Sequence, residues 1–136
     1  MTYLLDTNAC IALINGRPEQ VREQMARALA GANDAATSSI VLFELWYGVG
    51  KSSRVEANAT RLNAFLAGPI NRIEFDDEDA REAGGIRAQL ESAGKPIGAY
   101  DVLIAGQARR RGATLVTANG AEFRRIPGLN WEDWAA

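Results

Sequence analysis

The sequence contains no histidine and only one cysteine, Cys10, in 136 residues. The absence of histidine excludes Ser-His-Asp and Cys-His nucleophile systems and any imidazole general base. A single cysteine excludes an intrachain disulfide, and zinc sites built from cysteine and histidine lack their ligands. Any enzymatic chemistry must therefore come from carboxylates, hydroxyls, amines, backbone groups or a bound hard metal ion.

Long apolar runs are also absent. Glu44 and Gly48 interrupt the longest one, around residues 40–49, so no membrane span is predicted. The N-terminus has neither the basic start nor the apolar segment of an export signal, which predicts a cytoplasmic protein. With 136 residues, 47% hydrophobic and 24% charged, the chain is predicted to form one domain over residues 1–136.

Charge is small in sum but uneven along the chain. The formal net charge is −2, yet residues 74–82 hold six acids and one base, while residues 95–125 hold six bases and two acids. A weakly acidic chain does not by itself indicate nucleic-acid binding. The basic segment means that net charge does not exclude it either.

Short apolar segments alternate with amphipathic ones throughout the chain. This alternation predicts right-handed βαβ units and an α/β/α sandwich around a mostly parallel sheet of four to five strands. Ligands bind such sheets beyond the carboxyl ends of the strands, and Asp6 and residues 117–119 follow two predicted strands. The predicted strands are residues 3–5, 35–39, 70–75 and 113–117, and the predicted helices are 8–14, 21–29, 40–48, 55–66, 76–92, 100–111 and 121–125.

Three carboxylates stand out by position. Asp6 ends the first strand, Glu44 lies within an apolar helix, and Asp101 opens a later helix. Each has a simpler interpretation: a helix N-cap for Asp6, an arginine partner for Glu44 and a dipole-favoured first-turn acid for Asp101. If the three converge at the carboxyl edge of the sheet, they repel one another unless a cation lies between them. Mg²⁺ or Mn²⁺ is the expected match for oxygen ligands.

Four motifs occur in order along the chain. They are residues 5–8 (LDTN), 39–48 (SIVLFELWYG), 97–105 (IGAYDVLIA) and 115–119 (LVTAN). Together they resemble PIN-domain ribonucleases, with the VapC toxins of toxin–antitoxin pairs as the nearest subgroup, and the resemblance covers nearly the whole chain. It implies a small α/β/α domain that cleaves RNA with Mg²⁺ or Mn²⁺, a homodimer, and a cognate VapB-like antitoxin. It also suggests transfer RNA as the substrate.

The resemblance also implies roles for individual residues. Asp6, Glu44 and Asp101 match the first three acidic positions of the family, and so are the implied catalytic residues and metal ligands. Asn119 takes the fourth catalytic position, which is often aspartate, and this removes one charge from the implied site. The implied supporting residues are Asn8, Thr117 and Glu122.

Two clusters of arginine are the candidates for RNA phosphate contacts. They are Arg109, Arg110 and Arg111, and Arg124 with Arg125. The alternative for the first cluster is favourable interaction with a helix dipole. Trp46 and Tyr47 are interpreted as core or dimer-interface residues rather than base-stacking ones.

Two rival functions remain open on the sequence. One is a receiver-like domain with an acidic Mg²⁺ pocket, although the segments around residues 73–75 and 116–118 lack its aspartate and lysine. The other is a catalytically weak relative that acts mainly through partner binding. Asn119 keeps this second alternative open.

Overall fold

The computed structural model describes residues 1–136 and contains one parallel five-stranded sheet with strand order β3-β2-β1-β4-β5. This confirms the predicted α/β class and the parallel sheet. The strands are β1 (Thr2–Leu5), β2 (Asp34–Ser38), β3 (Asn71–Ile73), β4 (Thr114–Val116) and β5 (Asn130–Glu132). The helices are α1 (Thr7–Asn15), α2 (Glu19–Ala30), α3 (Ser39–Gly50), α4 (Val55–Leu66), α5 (Asp77–Ser92), α6 (Ala99–Arg111) and α7 (Gly120–Phe123).

The strand order reverses direction once, between β1 and β4. The chain moves outward from β1 through β2 to β3, then returns to the other side of β1 for β4 and β5. Because βαβ crossovers are right-handed, this reversal places the helices before β3 and those after it on opposite faces of the sheet. The crevice at the carboxyl ends of β1 and β4 is therefore the topological switch point, where open α/β sheets bind their ligands.

The strand that the sequence did not predict is β5. Its three residues, Asn130–Glu132, pair with β4 in register, Val116 opposite Glu132. A strand this short has no measurable alternation, so only its pairing partner identifies it. Trp134, two residues after the end of β5, is buried against Tyr3 with ring centroids 5.2 Å apart. The C-terminal segment is thus part of the core.

Cys10 lies on α1, fully buried, with its thiol 3.7 Å from the Thr37 hydroxyl. Burial raises the pKa of this thiol to about 12.

None of the seven helices is long and apolar enough to cross a bilayer.

Helices α5 and α6 are in close contact at Gly106. A Cβ placed on Gly106 would lie 2.6 Å from the Ala83 Cα and 2.7 Å from its Cβ. Both residues are buried, so neither helix has a flexible side chain that can move aside. Glycine at position 106 is what allows the backbones to meet.

Replacing Gly106 with alanine should therefore destabilise the protein by about 1–3 kcal/mol, the range for overpacking a tight core. The measurement is urea unfolding followed by circular dichroism. Gly85→Ala on α5 is the matched control, because a Cβ there meets nothing within 4 Å. That control should stabilise by about 0.5–1 kcal/mol through helix propensity alone. Equal effects from both substitutions would show that the α5–α6 contact is not tight.

Candidate active site

Three polar side chains follow three neighbouring strands at the carboxyl edge of the sheet. Asp6, Thr117 and Asp133 are the first residues after β1, β4 and β5. The register sets them level, because the Asp6 amide donates to the Val116 carbonyl at 3.1 Å and the Thr117 amide donates to the Glu132 carbonyl at 3.0 Å. The site therefore begins as a row of side chains at the switch point of the sheet.

Asp6 is both a helix cap and a buried carboxylate. Its Oδ1 accepts a hydrogen bond from the Ala9 amide at 2.8 Å, so the N-cap interpretation holds. Burial raises the pKa of Asp6, and the nearby charges of Glu44 and Asp133 add to this, while hydrogen bonds from the Thr117 hydroxyl and the Ala9 amide oppose it. The cap engages only Oδ1 of Asp6, so Oδ2 can still bind a group in the crevice.

Glu44 reaches the same region from the middle of α3. Its Oε1 accepts a hydrogen bond from the Thr7 hydroxyl at 2.7 Å, and no arginine or lysine lies within ion-pair distance of it. The alternative of an arginine partner for Glu44 is therefore wrong. Thr7, the residue next to Asp6, instead fixes the orientation of the Glu44 carboxylate.

Asp101 lies in the first turn of α6, as predicted. Burial raises its pKa to about 6, with further contributions from the negative charges of Glu122, Asp6 and Glu44. Asp6, Glu44 and Glu122 are therefore near enough to Asp101 for their negative charges to act on it. Like-charged groups that raise one another's pKa are typical of functional sites.

Asn119 and Glu122 form the remaining wall beside Asp101. The Asn119 side-chain amide donates to Glu122 Oε2 at 3.0 Å, and its backbone amide donates to the Thr117 hydroxyl at 3.0 Å. Glu122 thus brings a carboxylate to the side of the site where the sequence has asparagine in place of a fourth acid. Thr117 is fully buried and contacts both halves of the site.

Comparison with known proteins decides the family. The PIN domain family matches residues 3–129. The chain is 41% identical over 134 residues to the tRNA(fMet)-specific endonuclease VapC of Salmonella typhimurium, covering 98% of each chain. It is 44% identical over 134 residues to the ribonuclease VapC2 of Rickettsia felis, again covering 98% of each. The chain belongs to the VapC family of PIN-domain ribonucleases.

Solved structures agree with this membership. The crystal structure of VapBC2 from Rickettsia felis bound to a promoter DNA fragment superposes with a TM-score of 0.92 at 42% identity, covering 98% of this chain and 99% of that one. DNA-bound VapBC from Salmonella typhimurium gives 0.89 at 40% identity, with 98% of both chains covered. A VapC-type fold over the whole chain leaves the receiver-like alternative without support.

PIN-domain ribonucleases are metal-dependent in general, and the donor set of this VapC-type site fits a hard cation. Asp6, Glu44 and Asp101 offer only carboxylate oxygens, the ligands of Mg²⁺ and Mn²⁺, and none of them forms an ion pair. In the structure no three acidic, cysteine or histidine side chains are grouped tightly enough to form a complete metal centre. Asp6 is held by its cap and Glu44 by Thr7.

The first arginine cluster does not face this site. Arg110 lies nine residues after Asp101 on α6, about 14 Å along the helix axis. Arg110 and Arg111 pair with the buried Asp79 at 2.9 and 3.0 Å. Arg109 pairs with Glu82 at 2.7 Å. The guanidinium groups of Arg109, Arg110 and Arg111 therefore fasten α6 to acids in the first two turns of α5, and their contact with RNA phosphates stays a prediction.

The second cluster lines an open cleft beside the site. Arg124 and Arg125 follow α7, and with Lys95 they are the charged residues among the six that line this cleft. Arg125 donates to the Pro96 carbonyl at 3.2 Å and Arg124 to the Gly120 carbonyl at 3.3 Å. Neither is within ion-pair distance of a carboxylate. Their positive charge is available to an anion.

The sequence missed three contributors to the site. Asp133 is not predicted because β5 is not predicted, although an acid directly after a strand is the same signal that identifies Asp6. Thr7 and Lys95 have no sequence pattern that distinguishes them from other hydroxyl and basic residues. Asn8, predicted as a supporting residue, is exposed and lines a cavity together with Thr117 and Asp133 of the site. Its supporting role stays a prediction.

Proposed function

We propose that this chain is the ribonuclease toxin of a toxin–antitoxin pair and cleaves RNA phosphodiester bonds with Mg²⁺, or Mn²⁺ in its place. The observation that carries the proposal is the placement of Asp6 at the end of β1, of Glu44 against its neighbour Thr7 and of Asp101 in the first turn of α6, with no ion-pair partner for any of the three. Membership of the VapC family supports it. The substrate to test first is transfer RNA, since a relative at 41% identity is named for tRNA(fMet).

Each residue has a proposed task. Asp6, Asp101 and Glu44 would hold the metal ion, which would stabilise charge on the phosphoryl and leaving oxygens and lower the pKa of a water. Thr7 keeps Glu44 Oε1 engaged, which leaves Oε2 for the metal ion or for the attacking water. Thr117 orients Asp6, and Asn119 holds Glu122 at the edge of the site. No step requires histidine.

Metal removal tests this proposal. Purified protein incubated with a mixture of small RNAs and Mg²⁺ should produce discrete cleavage products, and EDTA should abolish them. Excess Mg²⁺ or Mn²⁺ added after EDTA should restore cleavage. Ca²⁺ at the same concentration is the comparison ion, because it is larger and less strict in its coordination geometry. Cleavage that continues in EDTA would contradict the metal mechanism. Absence of cleavage under every condition would favour the catalytically weak relative that acts through partner binding.

The basic cleft of Lys95, Arg124 and Arg125 is the proposed contact for RNA phosphates. Replacing Arg124 and Arg125 together with glutamine should raise the RNA concentration for half-maximal cleavage roughly tenfold at 0.1 M salt. The slope of log affinity against log salt should fall by about 1.4, or roughly 0.7 for each lost contact. Arg87→Gln is the control, because Arg87 is an exposed arginine of α5 paired with Glu91. An unchanged salt slope in the double variant would place the RNA elsewhere.

The proposal extends to assembly and place of action. A VapB-like antitoxin is the proposed partner, because the similar solved structures are those of VapBC from Rickettsia felis and Salmonella typhimurium. We also propose a homodimer, one domain over residues 1–136, and action in the cytoplasm, where transfer RNA is found. The unbroken sheet and a single core cluster that reaches from Leu4 to Trp134 support the one-domain proposal.

A further inference from the structure

A tryptophan ring takes the place of a side chain at the start of α7. A Cβ placed on Gly120 would lie 2.6 Å from Cζ3 and 2.9 Å from Cζ2 of Trp131, and closer still to Cη2. The backbone of Gly120 is not in the left-handed region, so the backbone conformation does not require glycine. Position 120 therefore needs glycine because the ring lies there.

Packing, more than its own hydrogen bonds, holds α7 in place. The helix has four residues and no side-chain N-cap, and a helix this short is not stable alone. Phe123 at its end is fully buried. At its start, the Asn119 amide donates to the Thr117 hydroxyl at 3.0 Å, and the ring of Trp131, the central residue of β5, covers Gly120. The sheet therefore fixes the first turn of α7 largely through this ring.

Between these contacts, α7 carries a carboxylate of the active site. Glu122 Oε2 accepts a hydrogen bond from the Asn119 side-chain amide at 3.0 Å. Glu122 is also near enough to Asp101 for a hydrogen bond between the two carboxyl groups. A displacement of about 1 Å at an active site can slow a reaction by roughly two orders of magnitude. The position of α7 therefore determines whether the Glu122 charge stays beside Asp101.

We propose that Trp131 is a positioning residue of the active site. Its ring fills the space left by Gly120, holds α7 against β5 and so keeps the Glu122 carboxylate beside Asp101. The proposal rests on the proposed function and adds to it a source for the fourth negative charge, which Asn119 does not supply. Trp131 acts on the metal ion only through Glu122 and takes no part in bond cleavage.

Mn²⁺ binding in the absence of RNA tests this role, with free Mn²⁺ measured by electron paramagnetic resonance. Gly120→Ala adds a methyl group that pushes α7 away from the ring. It should weaken Mn²⁺ binding roughly tenfold, the lower end of the range for disturbing a group that supports a metal ligand. Trp131→Leu removes the ring atoms that the methyl group meets. Gly120→Ala/Trp131→Leu should therefore bind Mn²⁺ more tightly than Gly120→Ala, and no recovery would overturn the role of the ring.

A second set of variants separates positioning from a loss of stability. Glu122→Gln removes the charge but can still accept from Asn119, and adding Gly120→Ala to it should weaken Mn²⁺ binding no further. Equal losses with and without Glu122→Gln would overturn the proposal. Ile70→Val is the control, because Ile70 is buried next to β3 at the opposite edge of the sheet. It should lower stability through the lost methyl group and leave Mn²⁺ binding unchanged.

Trp131→Phe provides the same test if Gly120→Ala does not fold. It withdraws the ring from α7 without adding volume. Its effect on Mn²⁺ binding should be in the same direction and should likewise disappear in the Glu122→Gln background. Wild-type Mn²⁺ binding by Trp131→Phe would contradict the proposal.

The Asn119 side-chain amide reports the position of Glu122 without metal or RNA. Its nitrogen–proton resonances in Gly120→Ala should move toward those of Glu122→Ala, in which the amide has lost its acceptor. If wild-type protein neither binds Mn²⁺ nor cuts RNA, the proposed function fails, and these resonances still decide whether the ring positions Glu122. If the wild type does both but Gly120→Ala changes neither the resonances nor Mn²⁺ binding, the proposed function stands and the role of Trp131 is overturned.

Discussion

Replacing Asp6 with asparagine is expected to lower the RNA cleavage rate by roughly 10²–10³-fold, the usual cost of removing one electrostatic stabiliser from an active site. Asparagine caps helices about as well as aspartate, so the hydrogen bond to the Ala9 amide is preserved. The substitution removes only the negative charge proposed to hold the metal ion. Single-turnover cleavage of the mapped RNA with saturating Mg²⁺ measures the effect, and urea unfolding checks that the fold is retained.

Asp6→Ala separates the two roles of this side chain. It should reduce cleavage as strongly as Asp6→Asn and also lose about 1 kcal/mol of stability with the cap. Asp77→Asn on α5 changes charge by the same amount at an exposed acid that is not among the charges acting on Asp6 or Asp101, and should leave the rate unchanged. Normal cleavage by Asp6→Asn would exclude Asp6 as a metal ligand. An equally slow Asp77→Asn would show that the overall charge, rather than the site, governs the rate.

The largest effect on stability is expected at Asp79. This side chain is fully buried and accepts hydrogen bonds from Arg110, Arg111 and the Gln107 side-chain amide, at 2.9, 3.0 and 3.2 Å. Asp79→Ala removes the buried acceptor that these three groups share, and only the more exposed Asp76 and the Glu74 carbonyl remain to them. It also leaves the Asp76 amide without its capping-box partner, and should cost about 3 kcal/mol in all. Urea unfolding at pH 7 measures this. Asp77 is an exposed acid two residues before Asp79 in the same turn of α5. Asp77→Ala should change the free energy of unfolding by no more than about 0.5 kcal/mol.

The pH dependence of this difference has a definite sign. Burial raises the pKa of Asp79, but hydrogen bonds from Arg111, the Asp76 amide and Arg110 outweigh it and lower the pKa to about 2 from a usual 3.8. A carboxyl group whose pKa is depressed by folding stabilises the folded state above its unfolded pKa. The gap between wild type and Asp79→Ala should therefore be constant from pH 7 to about 5 and shrink between pH 4 and 2. A gap that widens on acidification would contradict the ion-pair role.

The parallel sheet and the residues at its edge could be predicted because both follow from short-range patterns. Alternating strands and helices imply crossovers, and crossovers place strand ends together, so Asp6 and Thr117 could be located without coordinates. The sequence singles out Glu44 because a charge inside an apolar run is costly. Its partner Thr7 could not be predicted, because a hydroxyl next to a strand end has no distinctive pattern.

The remaining differences depend on tertiary contacts. Arg109, Arg110 and Arg111 look like an anion site in sequence, and only the packing of α5 on α6 shows that acids of α5 already hold them. The apolar segment that became α3 gave no indication of which face is solvated, so the exposure of Phe43 and Tyr47 was hidden. Asp133 depended on β5, a strand defined by its neighbour and not by its own three residues.

The buried thiol of Cys10 makes the folded protein inert toward maleimides and iodoacetamide. As the chain has no other cysteine, a reagent of this kind modifies a molecule only while α1 is open. The fraction labelled after a short pulse then counts opened molecules directly, without any engineered probe.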